Sequence, residues 1–142
     1  MTEPHGPPVI TKTRDLMTWL LERIAGFPRT HRTVLGTRIG NLVLDVLEKL
    51  LEAVYSGEKK ELLRRANLDL EKLRHLLRSS YELKCLSLRQ YEFVAREIDE
   101  VGRMVGGWMK NRGDNGSCRR SLVRGTVRLS SRNCVQNAFT KT

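Results

Sequence analysis

Three short links cut the middle of this sequence into four long runs of helical periodicity. That division constrains the fold more than any other feature. None of the four runs contains a proline, and three of the four prolines fall before residue 13. The first run extends to Ala25 from Thr13 or Asp15, either of which can cap it with a short side-chain oxygen. Leu16, Trp19, Leu20 and Ile24 form its apolar stripe. Gly26 and Pro28 end it, because proline drives the preceding Phe27 out of helical backbone angles. The second run spans Thr30 to Tyr55 and stops at Ser56-Gly57. The third spans Glu58 to Tyr81, with Leu62, Leu63, Ala66, Leu70, Leu73, Leu76 and Leu77 on its apolar side. The fourth opens at Ser87-Leu88-Arg89-Gln90, a capping box in which Ser87 and Gln90 serve each other's amides. Tyr91, Val94, Ile98, Val101, Val105 and Trp108 carry its stripe towards Lys110. Links this short make sequential helices antiparallel neighbours. The expected fold is all-α, an up-down-up-down antiparallel four-helix bundle over residues 13–110.

The second run has more apolar surface than one buried face needs. One stripe is Leu35, Ile39, Leu42, Val46 and Leu50; the other is Gly36, Gly40, Val43, Leu47, Leu51 and Val54. The last run has a related feature. Gly102 and Gly106 lie four apart, on one face, and Trp108 falls on the apolar stripe. An interior glycine costs a helix about 0.5–1 kcal/mol relative to alanine, so such a cluster implies close approach of another backbone. Gly36, Gly40, Gly102, Gly106 and Trp108 are therefore expected to serve packing, against another helix of the bundle or another subunit.

Outside the bundle, residues 1–12 read as a disordered N-terminal arm. Residues 111–142 begin with the turn-rich Asn111-Arg112-Gly113-Asp114-Asn115-Gly116-Ser117, and the rest is basic and without helical period. They are expected to be disordered unless bound. The net charge of +10 is uneven: residues 111–142 hold seven Lys/Arg and one Asp, whereas residues 1–110 hold 19 basic and 15 acidic residues. Such a balance favours polyanions as partners, nucleic acid first. No run approaches the roughly 20 apolar residues of a membrane span. The first residues lack the basic-then-apolar order of a secretory signal, so a cytoplasmic location is expected. Cys85, Cys118 and Cys134 are too widely spaced for a disulfide framework or a zinc site and are read as reduced thiols.

The residues of catalysis are not visible as a set. There is no phosphate-binding glycine loop, and His5, His31 and His75 stand apart from one another. No nucleophile has a base and an orienting group at hand. We expect no enzyme, no metal and no cofactor. Asp45 is assigned to Lys49, one helical turn away. The corner Phe27-Pro28-Arg29-Thr30-His31-Arg32 admits two readings: an anion site at a helix start, with Arg29 and Arg32 adding charge, or an arginine corner that pairs with acids of the bundle. Arg38 edges the core face. Arg89, Arg96, Arg103 and Lys110 recur every seven residues as a basic line.

Four segments together carry a resemblance: Phe27-Pro28-Arg29, Leu35-Gly36-Thr37-Arg38-Ile39, Leu62-Leu63-Arg64-Arg65-Ala66-Asn67, and Glu100-Val101-Gly102-Arg103-Met104-Val105-Gly106-Gly107-Trp108. They resemble the accessory variability determinant (Avd) proteins of diversity-generating retroelements. This four-helix-bundle family is related to proteins encoded by intervening sequences of bacterial ribosomal RNA genes. The likeness covers about residues 14–110, and the final-helix pattern is its most specific part. It implies a ring-shaped homo-oligomer, a pentamer, of basic four-helix bundles. It also implies partners: the retroelement reverse transcriptase, the template-repeat RNA and the cDNA made from it, adenine-mutagenised to diversify a target gene. The 32 residues after Lys110 depart from the family, whose members end soon after the last helix; they are either an RNA-binding arm or an incidental extension.

The function expected from this sequence is that of a non-catalytic adaptor supporting mutagenic reverse transcription. Arg29, Arg32, Arg38, Arg64, Arg65, Arg74, Arg78, Arg96 and Arg103 are the candidates for contact with nucleic acid or the enzyme. Two alternatives stand beside it. One is a ribosomal-RNA-associated bundle without a reverse transcriptase; the other is a purely structural oligomer whose charge keeps it soluble.

Overall fold

The computed structural model describes residues 6–123, with side chains through Lys110. Among the described residues the chain is all-helical. Four long helices make up the bundle: α1 (Pro8–Ala25), α2 (Thr37–Tyr55), α3 (Lys59–Glu82) and α4 (Leu88–Val123). α1 packs on α2 and α4, and α3 packs on the same two helices, so sequential helices are neighbours and α1 lies diagonally opposite α3. Leu16 and Leu20 of α1, Ile39, Val46 and Leu50 of α2, Leu63, Leu70 and Leu73 of α3, and Val94, Ile98 and Val101 of α4 meet in one buried core. The stripes read from the sequence face inward, with Leu51 as the exception.

The first helix begins earlier than expected. It starts at Pro8, and Val9 and Ile10 belong to the core, so the arm assigned to residues 1–12 is corrected for residues 6–12; residues 1–5 lie outside the described part. Proline fits the first helical position, where its missing N–H would be unpaired anyway. Burying two aliphatic side chains contributes about 1.5–3 kcal/mol each. Thr13 is consequently no cap. It is fully buried inside α1, and its hydroxyl donates to the carbonyl of Val9 at 2.7 Å.

The corner after α1 is built on the expected breakers. The amides of Gly26 and Phe27 donate to the carbonyls of Arg23 and Ile24, and Phe27 is buried. The run expected as one helix from Thr30 is not uniform: a single turn, Arg29–His31, passes into a wide π-helical segment, Arg32–Gly36, before α2 begins. There Gly36 meets α1 so closely that a Cβ would lie 2.7 Å from Ile24 Cγ2. Gly40 is also covered by α1, through Leu21 and Ile24. The upper part of the second apolar stripe therefore faces another helix of the same chain, whereas Leu51 of that stripe and Leu44, outside both stripes, stay exposed.

Asp45 is exposed and is not the partner of Lys49, contrary to expectation. Lys49 Nζ instead reaches Asp69 Oδ2 on α3 at 2.7 Å, and Lys72 Nζ takes Asp69 Oδ1 at 2.9 Å. Burial alone would push the Asp69 carboxyl up, but hydrogen bonds from Lys49 and Lys72 outweigh it and hold the group below the ordinary carboxylate range. The capping box forms as read: the Ser87 amide donates to Gln90 Oε1 at 3.0 Å and the Gln90 amide to Ser87 Oγ at 3.2 Å. α4 then runs on to Val123 instead of stopping at Lys110, so the disorder expected of residues 111–142 is corrected for residues 111–123. Extending an existing helix needs no new nucleus, and no proline interrupts this stretch. Residues 124–142 of the basic tail lie outside the described part. Among the described residues no helix is long and apolar enough to cross a membrane.

Candidate nucleic-acid interface

The nine arginines singled out from the sequence do not form one surface. Arg64 and Arg65 both pair with Glu61 within their own helix, at 3.5 and 3.2 Å, and Arg78 pairs with Glu82 at 2.9 Å. Exposed pairs of this kind add little to stability and keep their charges accessible. Arg32 serves the fold: its Nη1 donates to the carbonyl of Ala25 at the end of α1, at 3.2 Å. Arg29 precedes the π-helical segment and Arg38 follows it, and both are exposed with no acid among the described residues within ion-pair distance. Arg74, Arg96 and Arg103 come together elsewhere, along the outer side of α4.

There a shallow groove of about 890 Å³ runs from Phe93 to Lys110 on α4 and is walled on one side by Asn67, Glu71 and Arg74 of α3. Its floor is nearly bare. A Cβ at Gly106 or Gly107 would meet nothing within 4 Å, whereas one at Gly102 would lie 3.1 Å from Arg74 Nη2. Gly36 and Gly40 are thus accounted for by packing inside the chain, whereas Gly102 meets only the flexible end of Arg74 and Gly106 is open. Trp108 is half-buried and packs against the core.

Four carboxylates stand beside this groove, and all four are engaged. Lys12 of α1 bridges Glu97 and Glu100 at 2.7 and 3.1 Å, which holds its ammonium group above the usual lysine range, Glu97 contributing most. Arg74 bridges Glu71 and Asp99 across the α3–α4 seam. Arg96, Arg103 and Lys110 are left with no acid among the described residues within 4.0 Å, and they recur every seven residues, about 10.5 Å apart along the axis. The four acids are shared by two cations, so with Lys12 the groove carries a net charge of only +1, but Arg96, Arg103 and Lys110 form a line of cations with no ion-pair partner beside exposed helix backbone. Such a line attracts a polyanion and releases its counterions. Among the described residues no cluster of His, Cys, Asp or Glu is placed to hold a metal ion.

Sequence reasoning missed two residues of this surface. Lys12 falls in the stretch that the prolines mark as an arm. Phe93 stands off the core stripe of α4, 36% exposed, with its ring centroid 5.0 Å from that of Trp19 on α1. Its signal is an aromatic next to Val94 but outside the helical period, between the basic positions 89 and 96.

Comparison with known proteins adds one finding. A family model described as bAvd-like matches residues 9–112, most of the chain and the core-forming part of all four helices. No curated protein and no solved structure matches.

Proposed function

The chain belongs to the bAvd-like family, and on that premise we propose that it is the non-catalytic accessory protein of a diversity-generating retroelement. In this reading it binds the retroelement reverse transcriptase together with template RNA or cDNA, in the cytoplasm, and supports mutagenic reverse transcription. The protein supplies binding and placement, and the chemistry belongs to the polymerase. The observation that carries the reading is the line Arg96, Arg103 and Lys110, whose acidic neighbours are engaged by Lys12 and Arg74. Cations without an ion-pair partner, spaced along one helix, are free to meet successive phosphates.

The same reading includes assembly into a ring of five. The exposed Leu21, Leu44 and Leu51 on the α1–α2 side support it, since apolar surface of this kind is usually covered by another subunit. The test is co-expression with a reverse transcriptase and the template-repeat RNA of an Avd-type retroelement, followed by affinity purification through this chain at moderate salt. Recovery of enzyme and RNA with an assembly of about 82 kDa, five chains of 16.3 kDa, is the expected result. A monomer that retains neither would overturn it.

A further inference from the structure

We propose that the Phe93 end of the α4 groove is a stacking site for the bases of a single-stranded nucleic acid. The proposal rests on the nucleic-acid role above and adds to it the kind of strand the groove takes.

An exposed ring on a helix is usually adaptable; this one is held. Trp19 of α1 stands tilted against Phe93 at 5.0 Å between centroids. The indole also carries Arg23, whose guanidinium carbon lies 5.3 Å from the ring centroid, within cation–π range. Trp19 is thus occupied by Arg23 and Phe93, and Phe93 is the ring of the pair left with open surface. Its neighbours on the helix suit a nucleotide. Arg89 lies four residues before it and Arg96 three after, the spacings that bring side chains together on one face. Both are exposed. The carboxylates one and two turns on, Glu97 and Glu100, are held by Lys12. Asp15 and Glu22, each about one turn from Trp19 on α1, and Glu92 next to Phe93 are further exposed acids on these two helices, and Glu22 touches Arg23 at 4.0 Å.

From Phe93 to Lys110 the groove follows α4 for about 25 Å at 1.5 Å per residue. That length accommodates a few nucleotides, their phosphates meeting Arg96, Arg103 and Lys110. The bare positions Gly106 and Gly107 leave room for the strand itself. A fixed aromatic platform followed by a cationic track is the arrangement that binds unpaired strands: every base has a face to stack, while a duplex hides those faces. An acidic protein segment would use the cations but would gain little from the ring.

The experiment uses the full chain and three probes of equal length: a single-stranded oligouridylate, an RNA duplex and a poly-glutamate peptide. Binding is read by anisotropy across a salt series and by quenching of tryptophan fluorescence, in the native protein and in Phe93→Leu and Phe93→Trp. The expected result is that Phe93→Leu weakens single-strand binding about tenfold at unchanged salt slope, that Phe93→Trp restores it, and that duplex binding does not move. Unchanged melting by circular dichroism secures the comparison. If Phe93→Leu binds the single strand as the native chain does, or weakens duplex and single strand alike, the stacking site is overturned and the cationic track stands alone. If poly-glutamate binds as tightly as the oligouridylate, the groove is a protein-docking surface and the proposal fails. If the native chain binds no nucleic acid at all, the nucleic-acid role itself fails with it.

Discussion

Arg74 on α3 reaches Asp99 on α4, Nη2 to Oδ1 at 3.0 Å, and does so across Gly102, where any side chain would crowd the guanidinium. The same arginine also takes Glu71 on its own helix. A residue that the sequence offers as a free contact for RNA or polymerase is therefore the tie between two helices. Charge reversal at Arg74 is expected to lower the melting temperature by several degrees, because it sets three carboxylates against one another. Reversal at Arg78, which is exposed and interacts with Glu82 and with the Tyr91 hydroxyl of α4, should lower melting less than reversal at Arg74.

Two glycines separate packing from mere proximity. At Gly36 a Cβ would lie 2.7 Å from the Cγ2 of Ile24, a side chain wedged between α1 and the π turn. Gly36→Ala is expected to destabilise the fold by about 1–3 kcal/mol. At Gly102 the nearest atom is the far end of a flexible arginine, so the gain in helix propensity wins, and Gly102→Ala should stabilise by about 0.5 kcal/mol. Chemical denaturation of the two variants checks both signs.

Asp69 gives the bundle an acid limit. Its folded-state carboxyl lies below the ordinary carboxylate range, against the burial that alone would raise it, because Lys49 and Lys72 hydrogen-bond to it. A group depressed in this way contributes stability that is fully present above the unfolded value and is lost as pH falls through the folded one. Stability should therefore decline below about pH 4 in the native protein and much less steeply in Asp69→Asn. At neutral pH that variant should be less stable by about 1–3 kcal/mol. Urea titrations from acid to neutral pH measure both.

The first residues of α1 are part of the core and not an arm. Ile10→Ala is expected to cost about 2–5 kcal/mol, whereas a free arm would tolerate the change at no cost. Thermal unfolding of that single variant decides between the two.

Cations without an ion-pair partner set the behaviour of the groove. Replacing Arg96 and Arg103 with glutamine should weaken binding of nucleic acid of any sequence. It should also reduce the slope of log affinity against log salt by about two, one for each phosphate that is no longer neutralised. The same change at Arg64 and Arg65, which share Glu61, should cost less.

Much of the fold is legible in the sequence because apolar spacing reports the buried side directly. Leu63, Leu70, Leu73 and Leu77, or Val94, Ile98, Val101 and Val105, can face inward together only from a helix. The capping box is equally readable, since both of its partners lie within four residues. The parts that are not legible depend on contacts between distant residues. Prolines before residue 9 read as a sign of disorder, yet Pro8 is a helix start once Val9 and Ile10 find a core to enter. The π turn at Arg32–Gly36 leaves no trace in hydropathy; it answers to Ile24 of another helix. Proximity in sequence pairs Lys49 with Asp45, but the acid within its reach is Asp69, 20 residues on. For the candidate surface, the basic line on the last helix is visible in the sequence, whereas which cations are already engaged is not. That difference separates Arg74 from Arg96.

The measurement that bears most directly on the account is the yield of cDNA made from template-repeat RNA by the reverse transcriptase of an Avd-type retroelement, with and without this protein. The account predicts that the native chain raises both the yield and its adenine-directed mutation. It also predicts that Arg96→Glu combined with Arg103→Glu, at unchanged helicity, does not. Equal cDNA with the native chain, with the double variant and with no protein would contradict it.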